Sequence, residues 1–353
     1  MNKIILVDGN NLLFRSFYAT AYQGVIMKNS KGFPTNALYG FINMMNKIIQ
    51  DENPSYIMVA FDKGKTFRHD KYVDYKAGRS EMPDELRLQF PKAKEVLEAM
   101  GIKYFEIDNY EADDIIGTLA KEVEKRDDYI ATIVSSDKDL LQLISDKVDV
   151  KLLKQSGHIM MTKEEFIKTY QVPPIRMIDL KALMGDSSDH IPGVKGIGEK
   201  TAINLLSKFD SLDNLYAHID EVTGKTKEKL VNDKENAYMS YDLATIYRDV
   251  LLGFSLDDCQ YTKENTKRFT ELLQEFERIL VSEGHLALFS LNAYAVYQLS
   301  GKWRNIHIKN AQVWSNLLHQ AGFEICRIES IGPFWPSKTN KSSDKIFKPF
   351  NVF

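Results

Sequence analysis

Cysteine is scarce in this 353-residue chain. Cys259 and Cys326 are its only two, in no short spacing, which excludes a disulfide framework or a zinc knuckle. Such usage fits a reducing, cytoplasmic setting. Long apolar runs are missing too: nothing approaches the roughly 18 residues of a membrane helix. The opening MNKIILVDGN reaches an acid by position 8, without the basic and apolar blocks of a signal peptide. Internal repeats and low-complexity runs are lacking, and the net charge is only −3. At 44% hydrophobic and 27% charged residues, the expectation is an ordinary monomeric globular protein of one or two domains, away from membranes.

What the chain does have is acid in a pattern. Asp8, Asp62, Glu111, Asp113, Asp114, Asp137, Asp139, Asp186 and Asp189 recur in short segments, nearly all just past an apolar run that reads as a buried strand. Brought together, nine carboxylates repel one another unless divalent cations sit among them. Oxygen donors without cysteine, and with at most a stray histidine, favour Mg²⁺ or Mn²⁺ over Zn²⁺. Two such ions about 4 Å apart serve an in-line displacement at phosphorus. A metal-dependent phosphoryl-transfer enzyme is therefore the leading expectation.

The coarse organisation agrees. Lys3–Val7, Tyr56–Phe61 and Tyr129–Val134 read as strands leading to Asp8, Asp62 and Asp137, with Ile102–Ile107 as a fourth. Between them, Leu38, Phe41, Ile42, Met45, Ile48 and Ile49 mark one helix, and Leu86, Phe90, Ala93, Leu97 and Met100, closed by Gly101, mark another. A third carries Ala112, Ile115, Ile116, Leu119, Ala120 and Val123. The alternation predicts an α/β fold with a mostly parallel central sheet flanked by helices, its ligands beyond the carboxyl ends of the strands. The α/β domain is assigned to residues 1–161. An all-helical subdomain is expected over 162–284, opened by a capping box of Thr162 and Glu165. Residues 285–353 are an unassigned extension that holds Trp303, Trp314 and Trp335.

Each motif has a plainer explanation beside it. Acids in EADD (111–114) complement a helix dipole, which accounts for one or two of them but not three flanked by apolar residues. In SSDKDL (135–140) either Asp137 or Asp139 suits an N-cap, and GDSSD (185–189) reads equally as a polar loop; found together, these segments reinforce one another. PGVKGIGEK (192–200) follows no strand and lacks the Walker lysine. Its Gly193, Gly196 and Gly198, with Lys195 and Lys200, suit a tight turn whose amides face a phosphate backbone. FRHDKYVDYKAGR (67–79) interleaves Arg68, Lys71, Lys76 and Arg79 with aromatics, as suits a strand threaded along it; a solvated face is the usual meaning of such a run. Arg15, seven residues after Asp8, is placed to reach the same site. His69 and His190 read as hydrogen-bonding or surface residues.

The segments LVDGNNLLFRSFYA, KGFPTNALYGF, FDKGKTFRHDKYVDYKAGR, YEADDIIGTLA, SSDKDLLQL, LMGDSSDHIPGVKGIGEKTA and YMSYDLATI occur in an order that resembles the 5′-nuclease superfamily. The likeness is to the 5′→3′ exonuclease domain of bacterial DNA polymerase I and its stand-alone relatives, and it covers about residues 1–283. The resemblance implies a two-metal site, with Asp8, Asp62, Glu111, Asp113 and Asp114 around one ion and Asp137, Asp139, Asp186 and Asp189 around the other. It implies a mobile arch at about 63–90 that holds Tyr75, Lys76 and Arg79, with Lys76 and Arg79 approaching the scissile phosphate and Arg15 near the same phosphate. It also implies a helix-hairpin-helix-like turn that grips duplex DNA, with a K⁺ ion. His190 departs from the family, which commonly has Asn there. The chain is too short for a polymerase, so coupling to one is expected in trans. The implied substrates are DNA with 5′ flaps, nicks or free 5′ ends and RNA-primed fragments, in Okazaki fragment processing and repair. A junction-binding protein without catalysis, or an RNA-processing nuclease on a similar core, are the rivals. The retained acids count against the first, the glycine turn and basic segment against the second.

Overall fold

The computed structural model describes residues 1–21, 26–29, 32–78 and 81–262. The first half runs β1 (Asn2–Asp8), α1 (Gly9–Thr20), α2 (Asn36–Glu52), β2 (Tyr56–Phe61), α3 (Phe67–Lys71), α4 (Asp84–Arg87), α5 (Gln89–Ala99), β3 (Lys103–Glu106), α6 (Ala112–Lys125) and β4 (Tyr129–Ser135). It closes with β5 (Val148–Leu153) and β6 (His158–Met161). The strands form one sheet in the order β3-β2-β1-β4-β5-β6, parallel except for β6 against β5.

Period-2 alternation sends Ile4 and Leu6 to one face of β1 and Ile5 and Val7 to the other, and all four are fully buried. One face packs on α6 and the helices that follow, the other on α1, α2 and α5. Burial on both sides is why the strands read as continuous apolar runs. The stripe expected on α2 is buried throughout. The helix expected from Leu86 to Met100 is instead two, α4 and α5, meeting at Leu88. Pro91 has no N–H to bond the carbonyl of Arg87 four residues back, so one continuous helix is disfavoured there. Gly101 then turns the chain at φ +69°.

The hairpin β5–β6 is an addition to the sequence reading. Lys151 sits mid-strand in β5 and is buried at 3% exposure. It is accommodated because Glu52, ending α2, lies 2.6 Å from Lys151 Nζ and 2.5 Å from Lys3 Nζ.

From Lys163 the chain is mainly helical: α7 (Lys163–Tyr170), α8 (Met177–Met184), α9 (Glu199–Phe209), α10 (Leu212–Ala217), α11 (Gly224–Asn232) and α12 (Lys234–Ala244). Thr162 caps α7, accepting from the Glu165 amide. Seven of the eight residues of α8 are buried, so this helix is the core of the region. The all-helical expectation fails after Ala244. Residues 245–255 form a non-helical strap that returns to α6, burying Ile246 against Gly117 and bonding the Val250 amide to Thr118. A 3-10 turn, Leu256–Cys259, then packs beside β2. The extension at 285–353, and the end of the expected helical subdomain from 263, lie outside the described residues.

Replacing Glu52 with Ala leaves the buried Lys151 ammonium without its nearest counter-charge. The expected outcome is a loss of about 3 kcal/mol in a urea denaturation series; a loss below about 0.5 kcal/mol would show that Asp51, or water, takes over.

Candidate active site

The site forms where the parallel strands end. Asp8 is the last residue of β1 and the N-cap of α1, its carboxylate accepting from the Asn11 amide at 2.9 Å and from Ser135 Oγ at the end of β4. Gly9 makes this turn feasible, since a Cβ there would lie 2.5 Å from the Phe61 ring. Asp62 follows β2 and accepts from the Ala112 amide at the start of α6 and from Asn10. Asp137 follows β4 and accepts from the Asp139 amide at 2.9 Å. Asp186 and Asp189 come from the loop after α8.

Electrostatics show how closely these groups gather. Burial, followed by repulsion from Asp62 and Asp137, lifts the Asp8 carboxyl to about 7 against its hydrogen bond from Asn11. Burial likewise lifts Asp139 to about 7, with Asp137 and Asp189 adding to it and Lys181 opposing. Asp113 is raised well above the usual range by burial and by Asp137, Asp8 and Glu111. Eight of the nine sequence-derived carboxylates thus join one network, Asp186 entering through the Lys181 it shares with Asp139.

Asp114 is the exception. It is fully buried, and its oxygens receive both terminal nitrogens of Arg68 at 2.8 Å, the Glu111 amide at 3.0 Å and the Tyr247 amide at 2.9 Å. Its lone pairs are committed, which corrects its assignment as a metal ligand. The i to i+3 spacing that suggested a shared face for Glu111 and Asp114 is here a capping box. Arg68, expected at the DNA, is corrected with it: at 2% exposure it has no surface to offer a strand.

Two lysines enter the network. Lys76 Nζ lies 2.7 Å from Glu111 and 3.9 Å from Asp189. Burial acts to raise Glu111, but Lys76 and Arg68 outweigh it and hold the carboxyl low. Tyr75 is buried at 4% exposure beside Ile178, Ile191 and Leu243, its hydroxyl donating to Glu111 at 3.2 Å. It therefore anchors the segment, which corrects its assignment as a DNA contact. The second lysine, Lys181, was missed. It lies on a helix whose other residues are mostly apolar, the only available signal being its spacing of five residues before Asp186. It bonds Asp186 and pairs with Asp139 Oδ1 at 2.5 Å, so one buried ammonium is shared by two carboxylates.

The remaining expectations divide. Arg15 donates to the Lys154 carbonyl just past β5, at the same end of the sheet. Arg79 lies outside the described residues. Gly193 is buried, and a Cβ there would fall 2.2 Å from the Gly185 amide nitrogen, so close packing and a backbone φ of +61° account for this glycine. Lys195, Gly196, Gly198 and Lys200 are exposed. Gly196 turns at φ +80°, its carbonyl accepting from Lys229. His190 stands in the left-handed region at φ 55°, where Asn is more usual, and is exposed.

Among the described residues no three carboxylates stand together as a formed ligand set. Their chemistry nonetheless fits hard divalent cations. All donors are oxygen, and burial together with neighbouring acids pushes the Asp8, Asp113 and Asp139 carboxyls up. For a carboxyl raised in the folded state, stability is greatest while it is protonated and falls as pH rises through its folded value. The metal-free protein is therefore expected to melt at lower temperature at pH 8 than at pH 6, with Mg²⁺ restoring more at pH 8. Asp8→Asn is expected to flatten the difference. Calorimetric scans at both pH values test this; a higher melting temperature at pH 8 without metal contradicts it.

Comparison with known proteins accords with this arrangement. Residues 3–171 match the profile described as 5′-3′ exonuclease, N-terminal resolvase-like domain, and residues 172–267 that of 5′-3′ exonuclease, C-terminal SAM fold. DNA polymerase I of Bacillus subtilis is 45% identical over 277 residues, covering 77% of this chain but 31% of that protein. DNA polymerase I of Streptococcus pneumoniae is 44% identical over 277 residues, with 77% and 32% covered. The chain thus matches about a third of these relatives. In fold it is similar to the T5 D15 protein co-crystallised with metal ions, with a TM-score of 0.58 at 20% identity, covering 78% of this chain and 97% of that one. It is likewise similar to the catalytic core of Rad2 in complex with DNA substrate, with a TM-score of 0.55 at 17% identity, covering 79% and 88%. With both profiles matched end to end across three quarters of its length, and the acids of the match gathered at one end of the sheet, the chain belongs to the 5′-3′ exonuclease family.

Proposed function

We propose that the protein is a structure-specific 5′→3′ exonuclease and 5′-flap endonuclease, hydrolysing DNA phosphodiesters and those of RNA primers, in Okazaki fragment processing and repair. The observation that carries this reading is the convergence of Asp8, Asp62, Glu111, Asp113, Asp137, Asp139, Asp186 and Asp189 with Lys76 folded in among them. The relatives support it. One T5 D15 structure is described as a flap endonuclease pseudo-enzyme-product complex with DNA and metal ions, and the Rad2 core was solved with DNA substrate.

In this reading Asp8, Asp62, Glu111 and Asp113 hold one Mg²⁺ and Asp137, Asp139, Asp186 and Asp189 the other, with Mn²⁺ as a substitute. When bound, the ions offset the negative charge of the phosphodiester and make water acidic enough to be the nucleophile. The protein's own groups do the rest. Lys76 is held beside Glu111, from which its ammonium can pass to a phosphate oxygen and stabilise charge that builds there. Arg15 at the rim and Arg79 from the arch supply further phosphate contacts. The exposed turn of Lys195, Gly196, Gly198 and Lys200 would grip the adjoining duplex, and a K⁺ ion there would add positive charge toward the phosphates. A DNA polymerase is the proposed partner.

Asp113→Asn and Asp186→Asn are each expected to slow single-turnover cleavage of a 5′-labelled flap duplex roughly 10²–10³-fold, leaving DNA affinity within about threefold. Cleavage at the wild-type rate by either variant would sink the assignment. Lys76→Ala is expected to slow the same step with little change in affinity for Mg²⁺; wild-type turnover on the flap would remove Lys76 from the reaction.

A further inference from the structure

Arg68 and Asp114 are buried, charged and used by none of the chemistry above. Arg68 lies in α3, at the base of the arch, and spends its donors on three other parts of the chain. Nε bonds the Leu243 carbonyl at 3.1 Å, NH2 bonds the Thr245 carbonyl at 2.7 Å, and both terminal nitrogens clasp Asp114 at 2.8 Å. Asp114 in turn accepts the amide of Tyr247 from the strap and the amide of Glu111. NH1 of Arg68 also stands 3.6 Å from Glu111 Oε2. The backbone of Glu111 is thus gripped by one member of the pair, and its side chain faces the other.

We propose that Arg68 and Asp114 are a positioning pair: a buried fork that wires the arch base and the strap to Glu111, and so sets that carboxylate for the divalent ion without touching ion or DNA. The inference rests on the nuclease reading and goes beyond it, because it assigns Glu111's placement to the helical region's far end. A bidentate guanidinium–carboxylate contact fixes direction as well as charge, which a lysine ammonium cannot do. A role in folding alone would account for the capping bond to the Glu111 amide but would not need a guanidinium beside the Glu111 carboxylate. A DNA contact would need an exposed guanidinium.

The test uses the full chain, the variants Arg68→Lys and Asp114→Asn, and two readouts taken well below each melting temperature. One is Mn²⁺ binding to DNA-free protein by calorimetric titration; the other is flap-duplex affinity by anisotropy in EDTA. Both variants are expected to bind Mn²⁺ at least fivefold more weakly, with the number of ions unchanged and DNA affinity within twofold. Unchanged Mn²⁺ affinity in a folded variant overturns the proposal, since a merely structural pair would behave that way. Weakened DNA binding with normal Mn²⁺ binding overturns it in favour of a direct contact by Arg68. Loss of one whole ion from Asp114→Asn alone overturns it by making Asp114 a ligand. Should the single variants not fold, the double variant Arg68→Met/Asp114→Leu removes both charges together, which buried pairs commonly tolerate, and the same outcomes apply. A wild-type protein that binds no Mn²⁺ would overturn the nuclease reading as well as this one, whereas a variant-specific result bears on the pair alone.

Discussion

Like charge held close in a partly dehydrated cleft is the constraint around which the molecule is arranged. Asp8, Asp113 and Asp139 are each pushed toward protonation by burial and by neighbouring acids, Asp137 among them in every case. A protein does not keep such groups for stability, since neutral side chains would fold better there. The scaffold therefore supplies positive charge from outside the sheet: Lys76 from the arch at Glu111, and Lys181 from α8 between Asp139 and Asp186. Both cations come from elements other than those bearing Asp8, Asp62 and Asp137, so the two halves of the chain are tied together by the charge they share.

The sheet makes that gathering feasible. Parallel strands place their carboxyl ends at one edge, so residues far apart in sequence arrive together: Asp8 ends β1, Asp62 follows β2 and Asp137 follows β4. The amino end of α6 points at the same edge and brings Glu111 and Asp113. Hydrogen bonds then fix individual carboxylates. Ser135 and the Asn11 amide hold Asp8, while Asn10 and the Ala112 amide hold Asp62. These contacts determine direction, which repulsion alone leaves loose.

Much of this was legible in the residues. The apolar runs of β1, β2 and β4, the α2 stripe and the Thr162 cap all stand where hydropathy and capping chemistry place them. Local rules failed where a distant partner decided the outcome. β5 hid because Lys151 interrupts its apolar pattern, and only Glu52, 99 residues away, makes that lysine acceptable in a core. The strap at 245–255 hid because its backbone partners, Thr118 and Asp114, lie on another helix. Arg68 and Tyr75 read as binding residues because charge and ring type carry no information about burial.

The sequence by itself determined the family, the parallel α/β plan and the set of acids, because these rest on short-range pattern and residue chemistry. Only the tertiary structure decided which acids remain open to a cation. Asp113 and Asp114 are neighbours of one residue type, yet one faces the cleft carboxylates and the other is filled by a guanidinium from 46 residues earlier and an amide from 133 residues later. That division depends on which donors three-dimensional packing delivers to each oxygen.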